Sequence, residues 1–403
     1  MKLHYSVLLI PGMFLTSTGT AQDWNITGAG ARAEGLGGAF IGVADDATAI
    51  VWNPAGLGQL ERTEVSAVGR YVSEKSEFKS LLASDPYTES NKQSHFTFNF
   101  ASIAVPFKAG STNVVLALSY QTQLDFYSKF TDIQKNQTES SGSAAAVTPG
   151  VAWRLSPVFS LGAAANIWMG SFDYTTVYAT GDRESFTPSF SGLNFGVGAF
   201  LDFTGLSNPV PVKLGVSAKT PFTLKADVDY SFNGATAMVD LEAEMPLMIG
   251  AGASVQIGEH LTLAADYEMR MYKDKNVITS AQGSSSSAPL SDSNEDLNQF
   301  RVGAEYLIVM KGGVIPLRAG FRTVPTVLAN YEWDANSMSY LPSDQLSGIG
   351  YSAGTGFISG SFALDFAYSH EKYDEQQWTD AGQTDFTNQY EADRFSLSLI
   401  VYF

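Results

Sequence analysis

In the stretch Leu261–Arg270, LTLAADYEMR, the residues Asp266, Glu268 and Arg270 occupy alternate positions. On an extended backbone all three project from one face, and Leu263, Ala265, Tyr267 and Met269 from the other. The habit recurs along the chain: Lys219, Arg301, Glu305, Arg318, Arg322, Asp365 and Arg394 each fall on the polar side of their own alternating stretch. Carboxylates interleaved with guanidinium groups can do two kinds of work. They can pair into a ladder that braces a wall. Alternatively, one or two of the cations can grip an anionic group such as a carboxylate, for which arginine offers a two-pronged fork. Lys219, Arg270 and Arg322 are the candidates for the second role.

Other chemistry is sparse. Asp45 and Asp46 are adjacent, so their carboxylates point different ways, and no further cluster completes a metal site. Capping a helix start or pairing with an arginine suits them better. Asn53-Pro54-Ala55 enforces a turn, because proline fixes its own φ and pushes its neighbour out of the helical region. Asp45, Asp46, Asn53, Pro54 and Ala55 are therefore read as anchor and hinge of one segment, a mobile element needing a defined pivot. Of the four histidines, His4 sits in the leader, His260 at a tight turn and His370 on an apolar-facing register. His95 has no nucleophile motif around it, so no catalytic residue is assigned and an enzyme is not expected. With no cysteine there is no disulfide or thiolate metal site, and no nucleotide motif implies a cofactor.

The elements that must carry these residues are strands. Phe395, Leu397, Leu399, Val401 and Phe403 alternate with Arg394, Ser396 and Ser398, and comparable period-two runs occupy about fourteen segments between 63 and 403. Short connections such as Lys108–Gly110, Ser156-Pro157, Gly258-Glu259 and Lys311–Gly313 alternate with long polar ones at 74–94, 130–142, 274–296, 326–345 and 374–390. That asymmetry is expected of outer-membrane barrels. Tyr71, Phe126, Tyr127, Tyr267, Tyr272, Tyr368 and Tyr402 are expected to form its interfacial girdles. Leu81, Leu82, Phe130, Phe186 and Phe190 could form an outer docking groove or simply pack the loops together. A positive Lys2, an apolar Val7–Leu15 and the small-residue site Gly19-Thr20-Ala21 read as a secretory signal over 1–21. No later stretch approaches the ~20 uninterrupted apolar residues of a membrane helix. The net charge of -17, from 24 Lys plus Arg against 41 Asp plus Glu, argues against a nucleic-acid partner. Residues 28–60 stand apart: dense in Gly and Ala, they suit a compact plug in a confined space. The expectation is an all-β transmembrane antiparallel barrel over 63–403, with an N-terminal hatch over 22–62 inside its lumen, in the outer membrane of a Gram-negative cell.

The segment Ala31–Phe40, ARAEGLGGAF, with Ala44–Ala49 and Asn53–Leu57, resembles the hatch of the FadL/TodX long-chain fatty-acid and hydrocarbon transporters. The resemblance continues, in order, through Gly215–Phe222, Glu244–Pro246, His260–Tyr267, Arg301–Tyr306, Leu317–Gly320, Leu341–Asp344 and Asp365–His370. It implies a fourteen-stranded barrel stoppered by the hatch, passively taking up hydrophobic compounds and releasing them sideways through the wall. It also implies a monomer in contact with outer-membrane lipid and lipopolysaccharide. Lys219 stands where many relatives carry Arg, after Ala218 where they often carry Tyr. The strand near 112–129 has no central Gly or Pro to mark a wall kink, which leaves any lateral gap unplaced. The hatch signature is similar, too, to that of a PorV-like branch of type IX protein secretion, whose partners would be exported proteins and secretion-machinery subunits.

Overall fold

The structure is a computed structural model that describes residues 28–82, 86–110, 112–132, 134–281, 283–378 and 384–403. The expected signal at 1–21 and the first residues of the expected hatch lie outside the described residues. The wall begins with β1 (Glu64–Ser80), β2 (Tyr87–Ala109), β3 (Thr112–Asp125, resuming as Ser128–Thr131), β4 (Gln137–Arg154), β5 (Phe159–Val177) and β6 (Arg183–Asp202). Three broken strands follow: β7 (Val212–Lys219 and Phe222–Phe232), β8 (Ala235–Met245 and Met248–Ile257) and β9 (Leu261–Arg270 and Asn276–Ala281). It ends with β10 (Ser284–Pro289 and Leu297–Met310), β11 (Gly313–Asp334), β12 (Ser339–Ile358), β13 (Phe362–Trp378) and β14 (Thr384–Tyr402). Neighbours are antiparallel, and β1 pairs β14 from Glu64↔Tyr402 to Ser80↔Phe386, closing a fourteen-strand barrel.

Burial follows the period of two. In β14, Ala392, Ser396, Ser398 and Ile400 are buried, whereas Phe395, Leu397 and Leu399 are exposed on the outside. Leu116, Leu118, Phe195, Val197, Phe300 and Val302 extend the outer apolar surface. Such a surface faces hydrocarbon in a barrel that closes all its backbone hydrogen bonds between strands. No described helix is long and apolar enough to cross a membrane.

The long connections expected at 74–94, 274–296 and 326–345 are largely strand. β1 runs to Ser80 and β2 starts at Tyr87; Asn276–Ala281 pairs with Ser284–Pro289; β11 and β12 continue to Asp334 and from Ser339. About 9–11 residues suffice to cross the bilayer, so the 23-residue β2 projects well past it on one side. The projecting ladders are rich in polar residues on both faces, which is why their sequence resembles loop, although Val277 and Val327 turn into the inner apolar cluster.

Candidate functional site in the lumen

The N-terminal segment, residues 28–62, holds two short helices, α1 (Ala31–Gly35) and α2 (Ala49–Trp52), and a 3-10 turn at Pro54–Gln59. It packs against inward wall residues through its own backbone. Ala31 N donates to Ser398 Oγ at 2.7 Å, Gly37 N to Ser352 Oγ at 3.0 Å, and Phe40 N and Ile41 N to Asp266 Oδ2 at 2.6 and 2.7 Å. Ser254 Oγ donates to Gly42 O at 2.8 Å. The wall comes this close because it carries glycines at the contact. A Cβ on Gly320 would lie 2.0 Å from Gly37 N, and one on Gly215 2.1 Å from Ile41 O. Sequence alternation marks such glycines as inward but gives no sign of what they face.

The anchor and hinge candidates all lie in this segment. Asn53 caps the 3-10 turn by accepting from Ala55 N at 3.2 Å, and its Nδ2 donates to Ile41 O at 3.3 Å and to Ala199 O of β6 at 3.1 Å. Pro54 and Ala55 lie under Gly162 of β5. Asp45 is bound by Arg32 at 2.5 Å and approached by Lys213 at 3.8 Å. Asp46 accepts from Thr48 N at 2.8 Å and from the Thr48 hydroxyl. Burial pushes the Asp46 carboxyl above its ordinary pKa, more than Arg32 and Thr48 pull it down. Glu34 shows the opposite balance. Burial works against its charge, but Arg70, Arg322 and the hydroxyls of Ser396 and Ser369 outweigh it and hold the carboxyl below the usual range. No group of metal-ligating side chains occurs among the described residues.

On the β9–β14 side, the inward charges are paired. Glu268 is held by Arg270 at 2.7 Å and Arg301 at 3.2 Å, and Arg318 reaches Glu305 and Asp365, each at 2.6 Å. Arg322 donates to Glu371 at 2.8 Å, and Arg394 closes on the same carboxylate. Of the three carboxylate-binding candidates, Arg270 and Arg322 thus sit in this ladder. Arg270 and Arg322 border a cavity above α1, together with Arg70, Arg301 and Arg394. Lys219 lies elsewhere, at the break in β7, and its ammonium makes no ion pair or hydrogen bond among the described residues.

The β3–β8 side carries fewer ion pairs, although Lys219 lines it and Lys213 lies 4.0 Å from Asp202. Its inward polar groups are largely amides: Gln123 Nε2 donates to Gln121 at 3.0 Å, Thr148 to Asn166 at 2.9 Å, and Trp168 Nε1 to Asn194 at 2.9 Å. Outward of these, the lumen is apolar. Phe126, Phe172, Phe186 and Phe190 form one cluster with Trp168, Tyr230, Leu241, Met245, Tyr272 and others, the Phe126 and Phe172 rings stacking at 4.2 Å. Phe126 and Tyr272 were expected in an interfacial girdle; both are buried in this inner cluster, because β3 and β9 break beside them. Phe186 and Phe190, groove candidates, also point inward. Three small cavities run in series: the first bordered by Gln123, Trp168, Lys219 and Met248; the next by Lys219, Met248, Trp52 and Arg301; the third by Trp52, Arg301 and the arginine group.

The wall has a seam between β2 and β3. Their ladder runs from Ala109↔Thr112 to Phe100↔Gln121 and stops, although both strands continue. β3 shifts register against β4 between Thr122 and Leu124 and breaks after Asp125, whose Oδ1 accepts from Tyr127 N at 3.2 Å. Beyond Gln121, side chains replace the ladder. Thr122 Oγ1 donates to Phe98 O at 2.8 Å, His95 Nε2 meets Asp125 Oδ2 at 2.9 Å, and Lys129 N donates to Gln93 Oε1 at 2.7 Å. The break needs no Gly or Pro in β3 itself. An Asx turn at Asp125 makes it, and the neighbours β4 and β5 carry the bending at Gly142 and Gly170, whose φ of 128° and 114° favour glycine.

A closed antiparallel barrel with an apolar exterior and a lumen occupied by its own N-terminal segment is an outer-membrane β-barrel of the transport type. Residues 12–198 match the family model described as outer membrane protein transport protein (OMPP1/FadL/TodX). No curated protein sequence matches it. Among solved structures, it is similar in fold to a Pseudomonas aeruginosa FadL homologue at 14% identity and TM-score 0.68, over 93% of this chain and 98% of that one. The Ralstonia pickettii toluene transporter TbuX is similar at 16% identity and TM-score 0.60, over 93% and 99%. The P. putida toluene transporter TodX follows at 14% and 0.62, over 94% and 99%. The protein is an outer-membrane transporter of hydrophobic compounds.

Proposed function

We propose that the protein takes up long-chain fatty acids or hydrocarbons passively, as a monomer, with residues 22–62 acting as a gating hatch inside the lumen of a 63–403 barrel. Release would be sideways through the β2–β3 seam. The observation that carries this reading is the apolar cluster around Phe126, Phe172, Phe186 and Phe190 inside the lumen, where a water-filled pore would be polar. A greasy molecule gains by entering it roughly in proportion to the apolar area it removes from water. TodX and TbuX are toluene transporters by name, which adds small aromatic hydrocarbons to the compounds worth testing. Asn53, Pro54 and Ala55 would be the pivot of the hatch, and Asp45 and Asp46 part of its latch. Lys219 is the best placed of the three cations to meet a carboxylate. Arg270 and Arg322 would first have to exchange their present partners.

Native mass spectrometry of protein purified in mild detergent, with lipid extraction of the same sample, tests the reading. A co-purifying fatty acid or hydrocarbon, displaced by micromolar oleate, is the expected result. A barrel that carries an exported protein or secretion subunits in place of a small molecule overturns it in favour of the PorV-like role.

A further inference from the structure

The β11–β12 hairpin does not stand upright on the wall. Its ladder shifts register twice, between Pro325 and Ala329 and between Ala329 and Tyr331, and β12 pairs with β13 only as far out as Ile349↔Lys372. Beyond that level Tyr331 and Glu332 of β11 pair in parallel with Gln377 and Trp378 of β13 instead. Register shifts of this kind bend the strand that carries them, and here they turn the hairpin inward over the outer end of the lumen. Val327, at the first shift, joins the inner apolar cluster beside Tyr272 and Leu290. The hairpin reaches the break in β10 on one side, where Asp292 N donates to Val327 O at 2.8 Å. On the other side Gln376 N donates to Asn330 Oδ1 at 2.9 Å, and Tyr340 reaches Asp385 of β14 at 2.5 Å. Two carboxyls lie within this fastening. The Tyr331 hydroxyl donates to Asp292 Oδ2 at 2.8 Å, and the charge of Glu375, on β13, acts on Tyr331 as well. Glu375 itself receives only long contacts of 3.4 Å from Gln377 Nε2 and Asn388 Nδ2. No cation pairs with either carboxylate among the described residues.

We infer that the β11–β12 hairpin is a lid on the outer mouth of the lumen, held shut while Asp292 and Glu375 carry protons and loosened once both are charged. The lid adds control of entry to the uptake reading, and its movement can be measured without any ligand. Two carboxylates brought together out of water with no cation between them repel each other and lose hydration. Burial pushes the Asp292 carboxyl above its ordinary pKa, more than Tyr331 pulls it down. Burial raises Glu375 too, over the pull of Gln377 and Asn388, and the Asp292 charge adds to it. The shut hairpin therefore binds these protons more tightly than an open one does. Their contribution to closure is present in acid and is lost as pH rises through the raised values. Opening costs little ladder, because the hairpin meets β13 through two register pairs and otherwise through side chains. It withdraws Val327 from the inner cluster and leaves apolar side chains facing the mouth.

The test is hydrogen exchange of the full protein in nanodiscs, in mildly acidic and in mildly alkaline buffer, corrected for the pH dependence of exchange in a free peptide. Protection over 326–347 should fall about tenfold from acid to alkali, the factor that a tenfold difference in proton affinity between shut and open hairpins imposes on their ratio. The β1–β14 ladder should keep its protection. D292N/E375Q should retain the acid level of protection in alkali. Equal protection of the wild-type hairpin in the two buffers, or a fall that persists in D292N/E375Q, overturns the lid. The wild-type comparison needs no variant to fold. Entry is tested with Tyr331→Cys and Gln377→Cys, register partners in the shut hairpin, bridged by a short reducible bis-thiol crosslinker. Bridging should abolish uptake of radiolabelled dodecane by cells, and reduction should restore it. Uptake that continues with the hairpin bridged overturns the lid and leaves the uptake reading in place. Wild-type cells that gain no dodecane or oleate over cells lacking the protein overturn the uptake reading, and exchange over 326–347 then decides the lid alone.

Discussion

Arg32 of α1 grips Glu305 of β10 with both prongs, Nε to Oε2 at 3.1 Å and Nη2 to Oε1 at 3.0 Å. Arg318, from β11, holds the same carboxylate at 2.6 Å with its side chain fully buried. Glu305 is thus a shared counter-ion that ties the N-terminal segment to the wall. Removing one member of a buried pair strands the other charge, at about 3–5 kcal/mol. Glu305→Gln takes a carboxylate from two guanidinium groups, leaving Arg32 only Asp45 and Arg318 only Asp365 as close partners, and should cost more than Arg32→Met, whose side chain is 21% exposed and which leaves Glu305 paired with Arg318. Hydrogen exchange at residues 31–60 checks this: faster exchange in both variants, and more so in Glu305→Gln, is expected. Unchanged protection would mean that the glycine contacts alone hold the segment.

Those glycine contacts give a second, independent handle. A methyl on Gly320 lands 2.0 Å from Gly37 N, a distance that neither backbone can absorb without moving, whereas one on Gly196 meets nothing within 4 Å. Gly320→Ala should displace the segment and raise single-channel conductance in planar bilayers, and Gly196→Ala should leave it at the wild-type level. Equal conductance in the two variants would show that the segment does not set the resting permeability.

Much of this architecture is legible in the sequence, because alternation reports directly on a wall one residue thick. The run from Phe395 to Phe403 gives its two faces without any structure. Partnership is another matter. Arg318 and Asp365 are 47 positions apart and meet only because β11 and β13 bring them inward at one level. Nothing local distinguishes the paired Arg270 from the unpaired Lys219. The seam escaped for a different reason: its break is an Asx turn at Asp125, and its bending glycines lie on β4 and β5, not on the strand that breaks. Phe126 and Tyr272 look like interfacial aromatics until those breaks turn them inward.

Glu34 and Asp46 predict opposite responses to acid. The Glu34 carboxyl has a lowered pKa in the folded protein, so its contribution to stability is present above the ordinary glutamate range and is lost as pH falls through the lowered value. Asp46 has a raised pKa, so the folded protein holds its proton more tightly than the unfolded chain does. Its contribution is favourable at low pH and is lost as pH rises through the raised value. Near neutrality, Glu34→Gln should loosen the segment and flatten the acid limb of its stability. Asp46→Asn, which keeps an acceptor for Thr48, should tighten it. Urea unfolding followed across the acid range reads both; the same sign of change for the two variants at neutral pH would contradict this assignment.

The β2–β3 seam offers the most direct test of lateral release. Where the ladder ends at Phe100↔Gln121, three side-chain contacts take over, and the one between His95 and Asp125 is reinforced by stacking of the imidazole on Tyr127 at 4.3 Å. Contacts of this kind open at far lower cost than a run of strand hydrogen bonds, each of which would leave two polar groups unmet in hydrocarbon. The chain contains no cysteine, so a His95→Cys/Asp125→Cys pair can be bridged selectively by a short reducible bis-thiol crosslinker. If molecules leave through the seam, bridging should abolish uptake into cells, and reduction should restore it. Binding by the purified protein should persist throughout, because the lumenal cluster is untouched. A pair placed on the outer face of the unbroken β1–β14 ladder, Val65→Cys with Val401→Cys, controls for crosslinking itself, since those residues are already paired. Uptake that survives bridging of the seam would rule out this exit and place it elsewhere in the wall or along the N-terminal segment.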